Sequence, residues 1–355
     1  MVLVLFLLLL SVIIVIHEAG HLIAAKIFGV YCSEFSMGMG PEICHYQGKE
    51  TKYAIRLFPL GGFVAMAGDS DNALESKTEG EIPYERTLLG VAKWKKVIIM
   101  LAGIMMNFVL AFVVTAMVFL HTGAYPVAPD ASLDEIMPNT PAERVGLMSG
   151  DMITEMRYDE LGIKTHPKNF DDVSTFMYGH EQDELTLVVN RADQELEFRL
   201  IPEYNAENDR YMIGIKAKEM QILEVNLANC WGVAIDYLSY VTRTIFMSLG
   251  QLFKGVGLEN LSGPVGVYQA TETAIDAGYE SYLLMMAVLS INIGIFNALP
   301  LPILDGGRVL ITIVEAIIGR PLSNKAINIL MTVSMALLLG LMVFATFQDV
   351  IRIFH

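Results

Sequence analysis

Apolar and polar positions alternate along this chain in long blocks. Residues 2–28 and 97–120 are apolar over lengths that cross a bilayer, and residues 283–302 and 327–347 form a second such pair near the C-terminus. A fifth block, 231–253, carries Asp236 and Arg243 among apolar residues at helical spacing. That pattern suits an amphipathic helix lying at the interface better than a span, although a span is the open alternative. Four transmembrane helices are therefore predicted. Between the first two, residues 30–67 hold short alternating runs ("TKYAIRLF", "GGFVAMA") broken by Gly and Pro, the pattern of strands and hairpins. The stretch is too apolar for a free cytosolic loop. It is expected to re-enter the membrane, where non-helical backbone is tolerated only if paired or lining a polar cavity. Residues 69–83 are polar and read as a linker.

The block between the second and third apolar segments follows strand and turn periods. Residues 135–161, "EIMPNTPAERVGLMSGDMITEMRYDEL", read as a strand, a proline-containing turn, a short helix, a turn and a strand. "DELTLVVNR", "LEFRLIP" and "RYMIGIK" continue as strands. This unit resembles a PDZ domain, a fold that binds extended chain ends along an open sheet edge. The fold class expected is thus a polytopic α-helical membrane protein with a re-entrant β-hairpin loop and an inserted α/β PDZ domain. In chain order this gives an N-terminal membrane region (1–120), the PDZ domain (121–220), an amphipathic interfacial region (221–280) and a C-terminal membrane region (281–355).

Composition sharpens this picture. Of the 355 residues, 54% are hydrophobic and the mean hydropathy is +0.47, which excludes an ordinary soluble domain. The net charge is −15, and residues 122–226 account for most of it, with 21 acidic against 9 basic side chains. No basic patch exists, which excludes nucleic-acid binding. Lysines and arginines gather instead between the first two spans (Lys93, Lys95 and Lys96 among them) and in what reads as a short loop between the last two (Arg308, Arg320, Lys325). Both loops are expected inside and the acidic domain outside. The N-terminal run lacks a basic leader and is read as a retained helix, not a signal peptide. Cys32, Cys44 and Cys230 form neither a disulfide framework nor a C-x-x-C pair.

The candidate chemistry lies inside the first span, in "VIIVIHEAGHLIAAKIFG". His17 and His21 are four apart, so a helix places both imidazoles on one face within reach of one zinc ion. Glu18 sits beside the first and can act as general base on water. Ionisable groups at membrane depth are expensive and rarely idle. A third ligand is needed, and Asp305 of "NALPLPILDGG" is the candidate, since Pro300 and Pro302 break the helix just before it. Asn292 and Asn297 either hydrogen-bond a substrate backbone or satisfy carbonyls freed by the prolines. In the second span, Gly103 and Asn107 are four apart; Asn107 either orients water and substrate at the zinc site or packs helices. His45, His121, His166 and His180 lie in polar stretches without paired acids and are expected at the surface. A metal or proton transporter and a catalytically dead PDZ scaffold are the competing classes. The few spans speak against the first, and the intact His17, Glu18, His21 and Asp305 against the second.

Taken in order, "HEAGH", "EFSMGMGPEI", "PLGGFVAM", the PDZ unit, "LSGPVGV" and "NALPLPILDGG" resemble the bacterial site-2 proteases, which are intramembrane zinc metalloproteases. The resemblance covers nearly the whole chain. It implies Zn2+ on His17, His21 and Asp305, Glu18 as catalytic acid/base, and a substrate contact at Asn297. It implies single-pass membrane proteins already trimmed by another protease as substrates, among them anti-sigma factors and remnant signal peptides. It implies the bacterial cytoplasmic membrane as location, with an active site reached from the cytoplasmic side and the PDZ domain outside as a filter. Ile104 departs from the family pattern, which usually has proline there. One PDZ unit stands where the best-known proteobacterial relatives have two. Substrate identity and oligomeric state are not legible.

Overall fold

The computed structural model describes residues 1–69, 82–177, 180, 182–205, 210–253 and 261–354. The linker expected at 69–83 falls almost wholly outside the described residues. The chain divides into two compact units, one formed by residues 1–118, 234–242 and 260–355, the other by 119–233 and 243–259.

In the first unit, the opening apolar run forms α1 (Val2–Ile27), which ends where Gly29 adopts a φ of +79°. It is followed by β1 (Cys32–Gln47) and β2 (Lys52–Met66), an antiparallel pair. Both strands bend back on themselves. Ser36 lies opposite Ala54 on one side and Phe63 on the other, so 34–37 is flanked twice. The expected hairpin is therefore a small sheet of four short runs in the order 42–47, 52–56, 32–37, 62–66. The second span is α2 (Lys93–Thr122), longer than the apolar block because the lysine cluster forms its first turn.

The second unit holds most of the short strands. β3 (Ala124–Val127) and β4 (Leu133–Ile136) precede α3 (Pro141–Val145), which has proline at its start and left-handed Gly146 as its stop. Then come β5 (Met152–Tyr158), β6 (Ile163–Thr165), α4 (Phe170–Met177), β7 (Leu185–Arg191) and β8 (Gln194–Leu200). β9 (Glu203–Asn205), β10 (Arg210–Met212), β11 (Ile215–Ala217) and β12 (Gln221–Glu224) complete it. A four-stranded antiparallel sheet runs β6-β5-β7-β8; β4 pairs with β11, β3 with β12 and β9 with β10. Leu133, Ile153, Met156, Leu185 and Leu187 are at most 1% exposed and form its core. His180 is buried, not at the surface as expected: it packs on Tyr158, and its Nδ1 lies 3.0 Å from Asp183 Oδ2.

The remaining helices are α5 (Cys230–Phe253), α6 (Pro264–Asp276), α7 (Tyr279–Asn297), α8 (Asp305–Ile318) and α9 (Asn324–Phe354). Among the described residues, four helices are long and apolar enough to cross a membrane: Val2–Ile27, Lys93–Thr122, Tyr279–Asn297 and Lys325–Arg352. α5 is not among them. The third apolar block is helical only to Asn297, because Pro300 and Pro302 cannot continue the ladder. The segment between the last two spans is not a short loop either. Most of it is α8, which buries Gly307 and Thr312 and exposes Leu310, Ile313 and Ile317 on another face. Asp349 of α9 accepts hydrogen bonds from the Gly263 and Gly266 N–H groups at 3.1 and 2.8 Å, tying the start of α6 to the last helix.

Candidate metal and catalytic site

α1 carries His17 and His21 on the face turned to α2, and both are buried. α2 accepts them through Gly103: a methyl group there would lie 2.4 Å from His21 Nε2 and 2.9 Å from His17 Cε1. Glycine at this position is what lets two imidazoles sit between two helices. The backbone carbonyl of Ile99 lies 2.8 Å from His21 Nδ1 and accepts its N–H, which turns Nε2 toward the space between the rings.

Asp305 reaches the same space from the other end of the chain. After α7 the backbone turns sharply over Ala298–Leu304, with Leu301 and Leu304 N–H bonded to Leu299 and Leu301 carbonyls. α8 then starts at Asp305 itself. Gly306 and Gly307 let the first turn of α8 lie against that bend, since a Cβ on either would fall 2.1 Å from backbone of Ala298 or Leu301. The result places Asp305 Oδ2 3.1 Å from His17 Nε2 and 3.3 Å from His21 Nε2, with the two nitrogens 3.2 Å apart.

These three atoms fit a zinc ion. Bonds of about 2.0–2.1 Å at tetrahedral angles separate neighbouring ligand atoms by roughly 3.3–3.4 Å, close to the triangle observed. Asp305 Oδ2 is buried and has no hydrogen-bond partner, an uncompensated position for a carboxylate oxygen unless a cation completes it. Among the described residues, this is the one group of three His, Cys, Asp or Glu side chains gathered tightly enough to hold a metal.

A cavity of about 310 Å3 opens onto the triad, and Glu18, Asn297, Phe63 and Val64 also line it. Val64, on the outer run of β2, faces the same cavity as Glu18. Asn297 is the last residue of α7. Asn292 is not among the lining residues. Asn107 is fully buried beside His17 and does not line the cavity either. Two lining residues carried no sequence signal of their own, Arg308 of α8 and Asp69, which form an ion pair across 239 positions. Arg308 stands one helical turn beyond Asp305, and that spacing was the available clue.

Along α1, at 1.5 Å per residue, His17 lies roughly 22 Å from the start of the helix and His21 roughly 9 Å from its end. The site therefore sits within the length of a candidate span, nearer one end. Residues 5–341 match the description of peptidase family M50. The chain belongs to peptidase family M50, the site-2 protease family. It is 30% identical to the zinc metalloprotease RasP of Oceanobacillus iheyensis over 98% of each chain. It is 30% identical to a putative zinc metalloprotease of Clostridium acetobutylicum, over 96% of this chain and 95% of the relative. A regulator of sigma-W protease RasP from Bacillus subtilis is 27% identical over 98% of each chain. This M50 chain is thus a metalloprotease with four candidate membrane helices, and zinc is the metal its relatives' names give.

Proposed function

We propose that this M50 peptidase is a zinc enzyme that hydrolyses peptide bonds within transmembrane segments of membrane proteins already shortened by another protease. His17, His21 and Asp305 would hold the ion. The observation that carries this reading is the triangle of His17 Nε2, His21 Nε2 and Asp305 Oδ2, with edges of 3.1 to 3.3 Å, inside an apolar helix bundle.

Zinc in that position supplies Lewis-acid polarisation of the scissile carbonyl and makes water more acidic. The remaining work falls to the chain's own groups. The Glu18 carboxylate takes a proton from the attacking water and returns it to the departing amide nitrogen. Asn297, on the cavity wall, offers its side-chain amide to the substrate backbone. A substrate helix must unwind before its carbonyl is accessible, because helical backbone is already hydrogen-bonded. The run 62–66 is the outer strand of the bent sheet and borders the cavity, so an unwound segment can pair along it.

The sheet supports a re-entrant reading. Ser11, near the middle of α1, bonds to the Pro59 carbonyl, and Met39, Phe58 and Leu57 at the turn of the sheet are exposed apolar side chains. We place the sheet and the triad toward the cytoplasmic side of a bacterial cytoplasmic membrane, and the PDZ-like unit outside, where it screens substrates. Anti-sigma factors and remnant signal peptides are the substrate classes. The sigma-W regulator among the relatives favours the first. Expression of Glu18→Gln in the native host tests this: full-length or trimmed membrane substrates accumulate and co-purify with the variant, and unchanged substrate turnover would contradict the reading.

A further inference from the structure

Asn107 of α2 lies beside His17, yet it is 0% exposed and absent from the cavity wall. Its backbone carbonyl accepts the Ser290 hydroxyl at 2.9 Å, which fixes the residue in place. Its side-chain Nδ2 lies 3.4 Å from His17 Nδ1, and its Oδ1 is buried without a partner. The other nitrogen of His17, Nε2, is the one that faces Asp305 and His21.

An imidazole that offers a lone pair at Nε2 carries its proton on Nδ1, and that N–H needs an acceptor. The side chain within reach is Asn107. A half-turn about χ2 exchanges amide oxygen and nitrogen without moving any other atom, and it brings the orphaned Oδ1 to His17. The rotated amide oxygen then accepts the His17 Nδ1–H. His21 already has the equivalent support, the Ile99 carbonyl at 2.8 Å from its Nδ1. Ile99, Gly103 and Asn107 are spaced by four, so one face of α2 presents an acceptor, a gap and a second acceptor. They match His21, the interval between the rings and His17.

We propose that Asn107 is a positioning residue of the metal site: its side-chain oxygen accepts the His17 Nδ1–H and holds that ring with Nε2 toward the ion. Asn107 then acts through His17 and does not touch substrate. The inference rests on the zinc reading of the triad.

The test measures zinc affinity of the full-length protein in detergent by competition with a chromophoric chelator. Asn107→Leu keeps the branched shape and removes the acceptor; a 10- to 100-fold weaker affinity is expected, the usual effect of losing such a support. Asn107→Asp keeps an oxygen acceptor and is expected to bind zinc at least as tightly as wild type. The visible spectrum of the cobalt-substituted protein should change in Asn107→Leu and stay near wild type in Asn107→Asp, a response that helix packing alone would not give. Wild-type affinity in Asn107→Leu overturns the proposal, and so does an equal loss in both variants. If Asn107→Leu does not fold, Asn107→Asp decides alone, with a loss of about tenfold or more overturning it. His17→Ala separates the two readings. Zinc lost there but retained in Asn107→Leu refutes only the role of Asn107, whereas a wild-type protein that binds no zinc refutes the site itself and this inference with it.

Discussion

Each unit of this protein draws a carboxylate away from solvent, Asp151 fully and Asp305 largely, and the two are treated in opposite ways. In the strand-rich unit, Asp151 is fully buried and fully satisfied: Arg191 Nε and Nη2 meet its two oxygens at 2.6 and 2.7 Å, and the Met148 N–H adds a third bond at 2.9 Å. In the membrane unit, Asp305 presents Oδ2 to two imidazole nitrogens and receives no hydrogen bond there. A carboxylate that only holds a fold together is completed by the fold. One completed by a ligand is left short by it. Burial alone does not separate the two cases, whereas the partner of each oxygen does.

That contrast can be tested from both ends. At Glu18, replacement by glutamine should lower the cleavage rate by at least about 10²–10⁴-fold, to below detection, while zinc stays bound. Asp305→Asn is expected to release zinc and abolish cleavage, yet leave hydrogen-exchange protection of residues 185–200 unchanged. Loss of protection there would mean that Asp305 is a structural group after all.

Asp151→Asn should do the reverse. Removing one side of a buried pair costs roughly 3–5 kcal/mol, so β5 and β7 should exchange faster, with zinc content unaltered. Burial disfavours the Asp151 charge, but Arg191 and the Met148 N–H more than offset this and hold its carboxyl below the ordinary value. A folded pKa below the unfolded one gives stability that is present above about pH 4 and lost as pH falls through the folded value. Protection of β5 and β7 should therefore drop on acidification below about pH 4, and the drop should flatten in Asp151→Asn. The smallest effect is expected at Asn297, where alanine removes one substrate hydrogen bond and should reduce kcat/KM by about tenfold.

The sequence made much of this architecture visible. Four apolar blocks gave four candidate spans, and the four-residue spacing of His17 and His21 pointed to a shared face, because both patterns are local and repeat with the helix. Asp305 stood out for a different reason, as a carboxylate at the end of an apolar block broken by prolines. What escaped the sequence depends on distant partners. Nothing local marks Asp69 as the partner of Arg308. The double flanking of residues 34–37 follows from bends at glycines whose direction only the folded sheet shows. His180 reads as a surface histidine until Tyr158 and Phe176 are seen stacked beside it. The helix α8 was hidden in the charge pattern of what read as a short loop.

The central claim is that three ligands from two distant segments hold zinc while Glu18 moves the proton. The most direct measurement is zinc content and substrate cleavage, taken together, for purified full-length wild type, Glu18→Gln and His21→Ala. The account predicts bound zinc with cleavage in wild type, bound zinc without cleavage in Glu18→Gln, and neither in His21→Ala. Cleavage that survives in Glu18→Gln, or zinc that survives undiminished in His21→Ala, would contradict it.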